Sequence, residues 1–189
     1  DIAPTGSVTL NDTLIANGHI LVDGGSVITN AVIDSLGANV DLGAVIDLDI
    51  NAAVNGNTQV VLSARDDDIT IGAAVESDTQ TITGTAGGSI ISDVNGTLTA
   101  DNAANGAIML TAGRDIDLNA AVSAAEGVTG AADSNFTLTS SITADSDSDA
   151  TGDATLTADA DSSSAGDVEM GPNAQVTAEN ITIMGYNAV

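Results

Sequence analysis

Apolar and polar residues alternate along this chain in short runs, broken by Gly, Asn and Asp. The clearest run is Gly106 to Ala124, G-A-I-M-L-T-A-G-R-D-I-D-L-N-A-A-V-S-A. It holds two alternating strands, Ala107–Thr111 and Asp115–Asn119, with the turn Ala112-Gly113-Arg114 between them. Successive strand side chains point to opposite faces, so Ile116 and Leu118 share one face and Asp115, Asp117 and Asn119 the other. Similar runs occur at Ser7–Leu10, His19–Val22, Ser26–Thr29, Asn30–Ile33, Ala154–Ala158, Gln175–Ala178 and Glu179–Met184. No stretch sustains a helical period, and no helix is expected.

The second half of that run recurs. D-L-D-I-N-A-A-V at Asp47–Val54 matches D-I-D-L-N-A-A-V at Asp115–Val122, and D-I-T-I-G-A-A-V at Asp68–Val75 is a third copy. Asp167-Val168-Glu169-Met170-Gly171 is a more distant fourth. The copies begin 21, 47 and 52 residues apart. The two larger gaps halve into units of ~23 and ~26, within the range of repeat architectures. Ser89–Ser92 and Ser141–Ala144 are expected to fill the halfway points. A steady period with one residue class in register is the mark of parallel coils stacked on one another. The fold class is therefore all-β, a parallel β-helix of roughly eight coils, ~40 Å long at ~4.8 Å per coil. Inward columns would contain Leu48 and Ile50, Ile69 and Ile71, Ile90, Ile116 and Leu118, and Val168 and Met170. The Ala-Ala-Val segments would turn corners. Asn-Gly pairs at 17–18, 55–56, 95–96 and 105–106 support an alternative, an antiparallel β-sandwich built from hairpins.

Three regions are expected: an extended arm over 1–6, since Pro4 has no N–H for a ladder; a β-helix body over 7–144; and terminal coils with acidic loops and a last strand over 145–189. The chain opens on Asp1, as in a processed protein or a segment of a longer one.

Composition narrows the interior. Hydrophobic residues form 43% of the 189, yet Phe136 and Tyr186 are the only aromatics. Val, Ile, Leu and Ala must fill the core, which suits a narrow solenoid. Charge narrows the partners. There are 27 acids against two bases, Arg65 and Arg114, for a net charge of −25. Phosphate recognition needs cations, so nucleic acid is excluded as a partner. An anionic membrane surface is disfavoured for the same reason, and no membrane-inserting segment is present. Cysteine is absent, which removes disulfides and thiolate chemistry.

Candidate chemistry is sparse. Asp145-Ser146-Asp147-Ser148-Asp149 sets carboxylates at positions one, three and five, as oxygen-ligand calcium loops do. Ala150 stands where such loops carry Gly, and Leu156 where they carry an acid. Asp145, Asp147, Asp149 and Asp153 are the candidate calcium ligands, with a second acidic loop at Asp159, Asp161 and Asp167 expected to stack beside them. The competing reading is a solvated acidic loop, with no cofactor. Sequons mark Asn11, Asn95, Asn135 and Asn180 as candidate glycosylation sites, although short motifs of this kind also arise by chance. Arg65 and Arg114 are read as neutralising stacked acids, and His19 as an exposed strand residue. Thr-x-Thr at 81–83, 97–99, 137–139 and 155–157 suggests an ice-binding ladder, but these copies do not hold one register, and strand propensity accounts for them. Paired carboxylates are plentiful, yet a sugar-cleaving site usually also needs aromatic and cationic partners. No enzyme activity is expected.

The phrase A-I-M-L-T-A-G-R-D-I-D-L-N-A-A-V at Ala107–Val122 resembles the repeats of filamentous-haemagglutinin-type bacterial adhesins and related β-strand-repeat surface proteins. The resemblance is good over Gly43–Ala124 and loose elsewhere. It implies a right-handed parallel β-helix, exported and displayed at the cell surface, with no catalytic residues to carry over. The expected function is an extracellular stalk or filament subunit (or segment) joined to a homo-oligomeric neighbour through the solenoid ends. The alternative is a calcium-stabilised adhesin module that binds a glycan or host surface, with loop Asp145–Gly152 as its site.

Overall fold

A computed structural model describes residues 5–163 and 165–185. Residues 1–4 of the expected arm, and Tyr186 with the rest of the C-terminal tail, lie outside the described residues. The described chain forms 24 strands and no helix. The strands are dealt in turn onto three sheets of eight, so three successive strands make one coil. Every pairing is parallel. A hairpin pairs strands antiparallel, so the sandwich alternative is excluded. The Asn-Gly pairs instead occupy turns between sheets or, at Asn55-Gly56, a strand end.

Each strand meets its partner about one coil later, and the inward residues stack in register. In the first sheet Leu48, Ile69, Ile90, Ile116 and Phe136 follow one another. The second sheet continues Ile33, Val54, Val75, Leu98 and Val122. The third, whose strands run to five or six residues, stacks Val40, Val60, Ile82 and Ile108. These side chains are buried almost completely and form one continuous core. Alternation therefore acts as expected: what faces in is mostly aliphatic, with Phe136, Thr29 and Ser92 among the exceptions, and what faces out is largely polar, with Ile15, Leu21 and Met109 exposed among it.

Two expectations need correction. The second long gap is bridged in the first sheet by Phe136–Leu138, because Ser141–Thr143 belongs to the second sheet. Phe136 follows Ile116 by 20 residues and Val168 follows Phe136 by 32, so the last gap is one enlarged coil, not a steady period. In the Ala-Ala-Val segments only the alanines turn the corner. Val54, Val75 and Val122 are already inward residues of the second sheet. A large residue at that place buries more apolar area than another small one would.

The corner between the first and second sheets carries a polar ladder over the first three coils. Asn51 Nδ2 donates to Asn30 Oδ1, and Asn30 Nδ2 to Asn11 Oδ1, each at 3.1 Å. The Asn30–Ile33 stretch is accordingly a corner leading into a strand that begins only at Ile33. The first three coils thus satisfy polar groups of one another both through the backbone ladder and beside it.

Candidate functional site

The two end coils differ from the six between them. At the N-terminal end, Val8–Leu10, Leu14–Ala16 and Ile20–Gly24 pair on one side only, with the second coil. At the C-terminal end, Val168–Met170, Gln175–Thr177 and Asn180–Met184 pair only with the seventh. Backbone groups on the outer side of these strands have no ladder partner among the described residues. The inward columns reach these edges without turning polar. Ile181 stacks on Ala154 and Ile183 on Leu156, yet they are 49% and 37% exposed because no coil covers them. Leu14, in the column of Ile33, is 37% exposed for the same reason.

The two ends match each other. The C-terminal edge presents Val168 and Met170 in the first sheet, Val176 in the second, and Ile181 and Ile183 in the third. The N-terminal edge presents Val8 and Leu10, Leu14, and Ile20 and Val22 in the corresponding columns. Of the arm, Gly6 is tied back to the second coil: the Gly25 N–H donates to its carbonyl at 2.7 Å.

The acidic loop after Ala144 is the densest carboxylate cluster. Carboxylate oxygens of Asp145, Asp147 and Asp149 lie within 4.8 Å of one another, with Asp147 and Asp149 exposed. The loop is held by local bonds. Asp145 Oδ1 accepts from the Asp149 N–H at 3.1 Å, and Ser146 donates to Asp101 at 2.8 Å. Ala150 takes φ of 67°, a left-handed conformation that favours glycine, so the backbone bends there without the expected Gly. Asp153 stands apart at the head of a third-sheet strand, where its Oδ1 accepts from Asn180 Nδ2 at 2.8 Å. Leu156 points into the core and cannot be replaced there by a ligating acid. Asp159, Asp161 and Asp167 do not join the cluster among the described residues. Asp161 accepts from Ser163, while Asp167 lines a cleft of about 350 Å³ with Asp115, Asp117 and Glu169 on the first sheet's outer face.

The remaining candidates sit on the surface. Asn11, Asn95, Asn135 and Asn180 are all exposed. The side-chain amides of Asn135 and Asn180 donate to Asp115 and Asp153, whereas Asn95 occupies an open turn. His19 pairs with Asp41 of the next coil at 2.8 Å. Arg114 reaches past the intervening coil to Asp67 at 2.5 Å and Asp68 at 2.9 Å. That path exists because residue 88 is Gly: a Cβ there would lie 2.6 Å from the guanidinium. Arg65 pairs locally with Asp66. The expected neutralising of stacked acids is seen at Arg114, whereas Arg65 meets the adjacent Asp66 instead, and nothing in the sequence tells a spacer glycine such as Gly88 from a turn glycine. No helix among the described residues is long and apolar enough to cross a membrane.

The chain matches no family model, no curated protein and no solved structure.

Proposed function

We propose that this chain is an extracellular structural protein of the cell surface, a stalk or filament-forming subunit or segment, whose coils continue end to end into a neighbouring solenoid. The carrying observation is the pair of matching apolar edges at the two ends of the stack, where the inward columns end without a covering coil. Joining them continues three ladders and covers Ile181, Ile183 and Leu14 in one step. Head-to-tail contacts of this kind do not close, and they generate fibres. The neighbour is either the next coil of a longer chain or a second copy. The mechanism is mechanical, with load carried by backbone bonds of every coil, and no catalytic group is required. Sedimentation at rising concentration tests this: elongated oligomers are expected, lost in Ile181→Lys and Ile183→Lys. A monomer that persists at high concentration and high salt would overturn it.

A second reading, a calcium-stabilised adhesin module binding a glycan or host protein, rests on the clustering of Asp145, Asp147 and Asp149. Three carboxylates and the loop carbonyls would supply oxygen ligands of the kind calcium takes. Millimolar calcium should then raise the melting temperature of the parent chain and not of Asp147→Asn. An unchanged melting temperature in the parent removes this reading.

A further inference from the structure

The four Asn-Gly pairs are alike in sequence and unlike in structure. After Asn55, Asn95 and Asn105 the glycine is buried. Gly56 lies in a strand paired on both sides, opposite Ser35 and Ser77. The Gly96 N–H donates to the Asp93 carbonyl at 3.1 Å, and the Gly106 N–H to the Asn102 carbonyl at 2.8 Å. All three glycines are also pressed against main chain. A Cβ at Gly56 would lie against the Gln59 carbonyl, and at Gly96 and Gly106 it would run into the carbonyls of Ile71 and Ala100.

Asn17-Gly18 differs on every count. It forms the corner between Leu14–Ala16 and Ile20–Gly24 in the first coil, and both of its residues are exposed. Among the described residues the Gly18 N–H donates to no group, and the Asn17 side chain has no hydrogen-bond partner. Nothing lies within 4 Å of where a Cβ of Gly18 would stand. The corner is fastened from the second coil alone. Ser35 Oγ donates to the Gly18 carbonyl at 2.9 Å, and the Asn17 carbonyl backs onto Gly37.

These differences bear on one reaction. The main-chain nitrogen that follows an asparagine, once it has lost its proton to hydroxide, attacks the side-chain amide carbon. A C–N bond forms, the amide nitrogen leaves as ammonia, and a cyclic succinimide results. Water then opens the ring. Attack at the former side-chain carbonyl gives aspartate, and attack at the main-chain carbonyl gives isoaspartate. The net change is uptake of one water and release of one ammonia. Glycine in second place offers no side chain to hinder ring closure, so all four pairs qualify by sequence. Closure also needs an N–H that is not held and room for the corner to rotate, and of the four only Gly18 has both. We propose that Asn17 is a site of spontaneous deamidation and isomerisation in the folded chain, and that the fold protects Asn55, Asn95 and Asn105. Conversion adds a carboxylate to the first coil, and isoaspartate also adds one carbon to the main chain of its corner. The strands on either side of that corner pair only with the second coil, so the first coil is the part of the stack that changes with age.

The test is peptide mass spectrometry on the full 189-residue chain after incubation in mildly alkaline buffer. Samples are kept dilute and at low salt, where charge holds copies apart, and are run both folded and unfolded in urea. In the folded chain Asn17 should convert several-fold faster than the other three, largely to isoaspartate. In urea the four should convert at similar rates, because only the fold separates them. Gly18→Ala should slow conversion at Asn17 several-fold and keep the parent's circular dichroism, since the added methyl meets open space and Gly18 does not take a left-handed conformation. A folded chain in which Asn17 is no faster than the other three overturns the proposal. So does a ranking that persists unchanged in urea, which would place the cause in the flanking sequence.

Discussion

Phe136 shows how little room the interior gives a single residue. Its ring is fully buried in a column of aliphatics, between Ile116 and Val168. Space for it comes from Gly130, since a Cβ at that position would run into the ring. The neighbours of Gly130 in its own column are Leu110 and Leu156, so glycine here is a local concession to phenylalanine. Gly130→Ala should therefore overpack the coil and cost about 1–3 kcal/mol. The pair Gly130→Leu with Phe136→Ile restores the column pattern, and it should recover most of what either change loses alone, as read by a double-mutant cycle. Thr29 is the opposite case. It faces inward where other coils carry Ile50 or Ile71, and its buried hydroxyl has no partner among the described residues. An unsatisfied buried hydroxyl costs about 1–3 kcal/mol. Thr29→Val should then raise the melting temperature by several degrees in a thermal melt, and a fall would show that the hydroxyl has a partner in solution.

At the scale of the element, each strand is too short to hold a sheet alone, and each corner must be fastened to the next. The Asn11–Asn30–Asn51 ladder and the Arg114 bridge to Asp67 and Asp68 do this at different corners. The bridge is more than half exposed at the arginine, so it stabilises modestly, by at most about 1 kcal/mol. Its other effect is to lower repulsion between Asp67 and Asp68, which no other cation pairs among the described residues. Arg114→Ala should lower the melting temperature at low salt, and the difference from the parent should shrink as salt screens the carboxylates. A salt-independent deficit would point to lost packing instead. This scale also shows what the sequence made legible. Period-two alternation and the D-I-D-L-N-A-A-V repeat revealed strands, inward residues and a parallel stack, because the buried columns demand them coil by coil. They did not reveal which strands share a sheet once coil length varied. Spacing alone puts Ser141–Thr143 in the first sheet for that reason, whereas it pairs in the second. Of the acidic loop, sequence spacing anticipated the meeting of Asp145, Asp147 and Asp149. It could not place Asp153, whose position follows from strand pairing with Asn180.

The whole molecule is a strongly acidic column whose apolar inward columns lie open at both ends. Its charge of −25 sets copies apart in solution, while its end coils expose Leu14, Ile181, Ile183 and Met184. These tendencies oppose each other, and charge repulsion is the one that salt removes. Fibres should thus grow with ionic strength, and substitutions at the ends should matter more than those on the flanks. If coils of one copy continue into coils of the next, every strand in the fibre lies across its axis. The most direct measurement is diffraction from aligned fibres grown at high salt. Continuous end-to-end stacking predicts a meridional reflection near 4.8 Å, the spacing between paired strands. Fibres with that spacing on the equator, or a chain that yields no fibres at any salt concentration, would contradict assembly through the solenoid ends.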